Sequence, residues 1–458
     1  MTEHTTTLKR TLGSFRLWGI AVGLVISGEY FGWSYGWSQA GTMGFMVVAL
    51  AVAAMYCAFI FSFTELTTAI PHAGGPFAYA YRAFGPTGGF IAGFATLIEF
   101  VFAPPAIAMA IGAYLNVQFP ALDPKWVACG AYVIFMTLNI LGVGIAATFE
   151  LIVTLLAIFE LLVFMGVVAP GFSWSHFTTN GWAGADSFSG LALPGMFAAI
   201  PFAIWFFLAI EGASMAAEEA KDPQRTIPRA LGGGILTLTV LAIGVMVFAG
   251  GVGDWRALSN INDPLPQAMK TVVGNGSGWL HMLVWLGLFG LVASFHGIIM
   301  GYSRRSTPSP ARLSARRAGL PQPPHAHPVS GDPRRRRGRY RRDLLRLADH
   351  HQRHAADRLH RHHVGIWGYC YVYHFHGALF KLRRSEPKLI RPFRAPLYPL
   401  APAFALGMAV LCLVAMVWYN LLLALIFAAM MLGGYLWFRK TAAARERAPV
   451  DPQLRTVS

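Results

Sequence analysis

Charge is what this chain has least of. Only 13% of its 458 residues are Asp, Glu, Lys or Arg, while 55% are hydrophobic. With a mean hydropathy of +0.48, it is too apolar for a soluble protein of this length. Cysteine is scarce as well. The four present, Cys57, Cys129, Cys370 and Cys412, have no metal-ligand spacing, and three lie in apolar runs where small thiols pack as hydrophobes. Nucleophile–base pairs, phosphate-binding glycine loops and metal-ligand clusters are all missing, so no catalytic residue, metal or cofactor is assigned and an enzyme is not expected. No appended signalling domain favours a membrane sensor. The apolar runs do not alternate with polar residues, which excludes a transmembrane barrel. The first run is too long for a signal peptide and lacks a small-residue cleavage site after it, so it reads as a retained span.

What is there is a series of long apolar runs. A helix needs about 20 residues to cross about 30 Å of hydrocarbon. Spans are predicted near 14–40, 43–69, 88–116, 126–142, 147–170, 193–217, 230–252, 278–303, 397–418 and 419–438. The expected fold class is an all-α polytopic membrane protein, with the lipid bilayer as its first partner. Lys9, Arg10 and Arg16 precede the first span, Arg82 follows the second, and Lys221, Arg225 and Arg229 follow the sixth. Basic residues collect on the cytoplasmic side. That predicts a bacterial inner-membrane protein with a cytoplasmic N-terminal tail over 1–13, eight spans within 14–303 and a cytoplasmic tail over 441–458.

The formal charge of +16 does not point to nucleic acid, because most of it sits in one place. Between Arg304 and His363 there are 16 Arg and 4 Asp but no Lys or Glu, a net +12. Arg, Pro and His without Lys or Glu is what a GC-rich gene yields when read out of frame. Basic clusters on both sides, Arg304–Arg305 and Lys381 to Arg394, call for zero or two intervening spans, yet 364–380 is a single apolar run. The segment 304–376 is therefore read as frameshifted, replacing a ninth span and most of a tenth. A genuine basic loop is the alternative. A cytoplasmic loop and the last two spans follow over 377–440.

Two carboxylates stand where lipid should forbid them. Glu29 lies within Val25-Ile26-Ser27-Gly28-Glu29-Tyr30-Phe31-Gly32-Trp33, and Glu211 within the run that starts at Pro201 and ends at Gly212. A charge at bilayer depth costs about 2.5–3.5 kcal/mol on insertion scales, so such residues face a wet cavity or a partner. Each stands beside a glycine that permits a helix break, Gly28 and Gly212. Freed backbone at this depth is tolerated only where it lines a cavity or is buried in protein.

Three motifs then carry a resemblance. The first runs from Glu65 through Pro71-His72-Ala73-Gly74-Gly75-Pro76 to Tyr79, followed by Ala83-Phe84-Gly85-Pro86. The second is Glu218-Glu219-Ala220-Lys221-Asp222-Pro223-Gln224-Arg225-Thr226-Ile227-Pro228, and the third Arg391-Pro392-Phe393-Arg394-Ala395-Pro396. Together they resemble the amino acid–polyamine–organocation permeases across about 1–304 and 377–440. The run Ser27 to Trp37 is most similar to the ethanolamine permease branch. The resemblance implies twelve spans, the first ten forming two inverted five-helix repeats of the LeuT type, with substrate bound where the leading helix of each repeat is interrupted. Two spans would then be lost or disrupted in this chain.

By that resemblance the chain is expected to import ethanolamine or a related small cationic amine by alternating access. Ser27, Gly28, Glu29, Tyr30, Trp33, Trp205, Phe206, Glu211 and Gly212 are its expected binding residues. Glu29 suits an ammonium, through charge-assisted hydrogen bonds, better than an amino acid's carboxylate. Tyr30, Trp33, Trp205 and Phe206 offer aromatic faces to a cation, each worth about 0.5–2 kcal/mol. Glu211, Trp205, Glu99, Ser294 and His296 are coupling or gating candidates, and a coupled proton is an open possibility. Glu150, near the membrane edge, reads as solvated, with Glu160 on a different face. Many relatives place a Lys in the fifth span; Ala157 is read at that position, so Lys-based coupling does not carry over. Two alternatives stay open: an amino acid permease of the same superfamily, and a chain inactivated by its disrupted segment.

Overall fold

The computed structural model describes residues 10, 12–72, 74–141, 143–304 and 375–442. The segment read as frameshifted, Cys370 and most of both tails lie outside these residues, as does any account of a ninth or tenth span.

Among the described residues the extended apolar runs form helices, the one way a single segment satisfies all its backbone groups in hydrocarbon. The first half comprises α1 (Ser14–Gly23), α2 (Ser34–Ala69), α3 (Pro76–Gln118), α4 (Pro124–Leu141) and α5 (Val143–Val168). The short α6 (Trp174–Thr178) leads to α7 (Leu193–Ile204), α8 (Pro223–Gly250), α9 (Trp255–Leu258), α10 (Pro264–Val273) and α11 (Gly278–Arg304). Residues 375–385 are helical and are called α12. Two final helices, α13 (Leu400–Tyr419) and α14 (Leu421–Lys440), complete the described chain.

Among the described residues, seven helices are long and apolar enough to cross a membrane. The expected first and sixth spans are not among them because both are broken. α1 stops at Gly23 and, after a 3₁₀ turn at Ile26–Glu29, α-helix resumes at Ser34; α7 stops at Ile204, and 3₁₀ turns resume at Ile210–Glu219. Proline starts four helices at its preferred first-turn position: Pro76 after Gly75, Pro124 after Asp123, Pro223 after Asp222 and Pro264 after Asp263.

The packing is reciprocal. α1, the leader of the first half, lies on α8, the second long helix of the other half, while α7, the leader there, lies on α2. That exchange is what two structurally inverted halves require. α11 fills the centre, packing on α3, α5 and the first break.

Candidate substrate site at the two helix breaks

The first break is built around an inserted hydroxyl. In a continuous helix the Ser27 N–H would donate to the Gly23 carbonyl four residues back. Here it donates instead to Ser294 Oγ at 2.9 Å, and Ser294 donates on to the Gly23 carbonyl at 2.8 Å. One side chain of α11 thus satisfies both freed groups, which in a buried setting would otherwise each cost about 1–3 kcal/mol. Tight turns carry the chain onward, with Gly28 N–H to Val25 O at 2.8 Å and Tyr30 N–H to Ser27 O at 3.1 Å.

Two glycines let the breaks meet. A side chain on Gly28 would run into the Trp205 carbonyl and lie 3.1 Å from Phe206 Cα. Gly32 has φ +93°, and a Cβ there would stand 2.7 Å from the Trp205 ring. Trp205 accordingly covers Gly32 and meets Phe31 edge-on at 5.4 Å. Trp33 donates its indole N–H to the Glu29 carbonyl at 2.9 Å and stacks on Phe206 at 6.0 Å.

Glu29 is wholly buried, and neither carboxylate oxygen has a hydrogen-bond partner among the described residues. No arginine among the described residues pairs with it. The structure therefore brings Ser27, Gly28, Glu29, Trp33, Trp205 and Phe206 together. Tyr30 goes elsewhere: its hydroxyl donates to Glu160 of α5 at 2.6 Å and lies 3.1 Å from the Ala157 carbonyl. Tyr114 of α3 donates to the Tyr30 carbonyl at 2.9 Å.

The second break does not use Gly212 as a hinge. The chain leaves α7 at Trp205, and Ala209, with φ +75°, takes the left-handed conformation. Gly212 lies inside the following turns, where its small size matters because Phe100 of α3 would sit 2.7 Å from a Cβ. Glu211 in those turns and Glu99 in α3 are both wholly buried.

One fifth-span reading needs correction. Glu150 is not solvated: it is fully buried, with Oε2 2.8 Å from His296 Nδ1 on α11. On the same helix Thr154 donates to the Gly19 carbonyl of the first span at 3.2 Å. Glu150 and Glu160 are named in the sequence but given no role there, although the rule that flags Glu29, a carboxylate at bilayer depth, applies to both; each has a side-chain partner in the fold.

A groove of about 640 Å³ between α2, α7 and α13 is lined by apolar side chains such as Val52, Ile200 and Leu411. It has none of the carboxylates that mark the breaks.

Comparison with known proteins agrees with this architecture. The family model described as "Amino acid permease" matches residues 12–306. The branched-chain amino acid permease BcaP of Bacillus subtilis (strain 168) is 23% identical over 319 residues, covering 65% of this chain and 66% of that protein. The low-affinity putrescine importer PlaP of Escherichia coli (strain K12) is 30% identical over 190 residues, covering 41% of this chain and 40% of its own length. The chain thus spans less than two thirds of either relative. Among solved structures, Mhp1, a nucleobase-cation-symport-1 family transporter in a closed conformation with bromovinylhydantoin bound, superposes with a TM-score of 0.51 at 15% identity, over 97% of this chain and 98% of that one. That likeness is one of fold. By the family model, which covers well over half its length, the chain belongs to the amino acid permease family.

Proposed function

We propose that this protein is an inner-membrane permease that imports ethanolamine or a related small cationic amine by alternating access. The observation that carries this reading is the Glu29 carboxylate, buried at the break of the first span with no hydrogen-bond donor to it among the described residues. A buried carboxylate in that state is costly unless paired. An ammonium supplies both the charge and the donors. The amine transported by PlaP, as its name gives it, supports the same class.

In this reading Glu29 takes the ammonium, with Ser27 and Gly28 supplying the opened backbone and Trp33 and Phe206 the aromatic wall. Trp205, seated on Gly32, occludes the site; Glu211 in the second break couples or gates. Glu99, buried in α3, is a further coupling or gating candidate, and Ser294 fixes the first break. Tyr30 acts through α5 and not as part of the cage. The twelve-span plan, the cytoplasmic N-terminus and the replacement of two spans by 304–376 belong to the same proposal.

Uptake of labelled ethanolamine into proteoliposomes tests it, with serine and alanine as competitors. An amino acid permease, the second reading, is favoured by the family model and by BcaP; it requires serine or alanine to outcompete the amine. If a frame-repaired chain transports and this chain does not, the inactivated-product alternative holds.

A further inference from the structure

One buried polar pair is left unused by the substrate site. Glu150 of α5 and His296 of α11 are both wholly buried, Oε2 to Nδ1 at 2.8 Å, and the other ring nitrogen, Nε2, has no hydrogen-bond partner among the described residues. Rings of Phe149 and Phe135 close around the imidazole at 5.2 and 6.3 Å. A carboxylate and an imidazole held together in an apolar setting have two simple proton counts. With one proton, on Nδ1, the pair carries a net charge of −1. A second proton on Nε2 gives imidazolium and carboxylate, net zero, and burial favours the neutral sum.

The pair also lies against the first break. A Cβ on Gly297 would stand 2.6 Å from Glu150 Oε1, and Gly23 is equally constrained by the same oxygen. Gly23 is the residue whose carbonyl receives the Ser294 hydroxyl, and Ser294 sits two residues before His296 on α11. Glu150 thus abuts one side of the first break while its partner helix holds the other.

We propose that Glu150 and His296 together form a proton-binding site that sets the conformation of the first break. It rests on the transporter reading only for what that conformational change accomplishes. Proton arrival at Nε2 converts a hydrogen-bonded pair into an ion pair, draws Glu150 toward α11 and relaxes its hold on Gly23; departure reverses it.

Other titratable groups on packed elements are accounted for. Glu29 and Glu211 lie at the two breaks, Glu99 and Tyr114 on α3, and Glu160, about 15 Å further along α5, holds Tyr30. Tyr132 of α4 packs on Phe295, Asp263 immediately precedes α10 and Lys270 lies within it. Arg16, Arg225, Arg229 and Lys125 are exposed at helix ends.

The test needs no substrate. The full chain, labelled with ¹⁵N-histidine and held in lipid nanodiscs, is followed by NMR from pH 8 to pH 5, with the His296 signals assigned by their loss in His296→Gln. The expected result is a ring with one protonated nitrogen at pH 8 and two at pH 5. In Glu150→Gln, one protonated nitrogen should remain throughout. Hydrogen exchange over residues 24–33, corrected for intrinsic rate, should follow the same step in the native chain and lose it in His296→Gln. A ring that keeps one state in the native chain overturns the proposal. So does one that changes identically in Glu150→Gln, or exchange at the break indifferent to the step. Failure of amine uptake alone would count against the transport reading and leave these results standing.

Discussion

Arg383 grips Glu65 through two parallel hydrogen bonds, Nε to Oε1 at 2.8 Å and Nη2 to Oε2 at 2.6 Å, across 318 positions of the chain. Arg391 adds a contact at 3.3 Å and the Ala395 N–H donates at 2.7 Å. Beside them Arg82 holds Glu386 in the same two-pronged way, at 3.1 and 2.6 Å. The first and third sequence motifs are therefore the two halves of one latch. Burial draws Arg391 below its ordinary basicity, while the Glu65 charge opposes that shift.

Glu65→Gln should weaken this latch strongly. It removes the charge from a buried, charge-assisted pair and leaves Arg383 and Arg391 without their counterion. Breaking such a pair costs about 3–5 kcal/mol, to be read as loss of thermal stability in detergent. An unchanged melting profile would mean that the latch adds nothing to the fold.

Ser294→Ala removes the hydroxyl that joins Ser27 to Gly23. At about 1–3 kcal/mol for each of the two buried backbone groups left unsatisfied, the expected loss is about 2–6 kcal/mol. Hydrogen exchange at residues 24–30 should speed up, whereas Ser294→Thr, which keeps the hydroxyl, should stay close to the native rate.

Gly28→Ala places a methyl between the two breaks, against the Trp205 carbonyl and Phe206 Cα. Backbone cannot yield as a flexible side chain does, so we expect uptake to fall at least tenfold with insertion intact. Native uptake in this variant would show that the breaks need not meet.

The loop before α10 gives a pH dependence of defined sign. Burial pushes the Asp263 carboxyl above its usual 3.8, opposed by the Gln267 hydrogen bond and by Lys270. The folded chain thus holds this proton more tightly than the unfolded chain does. Its stabilising contribution is complete below the unfolded value and fades as pH rises through the folded one. Thermal stability measured upward from pH 4 should decline for the native protein and less for Asp263→Asn.

The helices, the two breaks and the carboxylates were legible in sequence because each rests on a local rule: apolar length, glycine, charge at depth. Glu29 follows from those rules directly, whereas Trp205 is singled out only through the family resemblance. What escaped depends on which helix faces which. Ala209 takes a left-handed turn that nothing in its type announces, and Tyr30 is claimed by Glu160 across 130 positions. Glu150 was misplaced for the same reason, since its distance from the membrane edge says nothing of His296. The motif from Arg391 to Pro396 was recognised as a pattern, but its target, Glu65, becomes evident only when the chain is folded.

The measurement that bears most directly on the whole reading is uptake of labelled ethanolamine by Glu29→Gln in proteoliposomes, beside the native chain and its frame-repaired form. Glutamine keeps the shape but gives up the negative charge, so we expect transport to vanish in the repaired background while the protein inserts and melts as before. Undiminished uptake by that variant would contradict the idea that a buried carboxylate in a broken helix receives the cation.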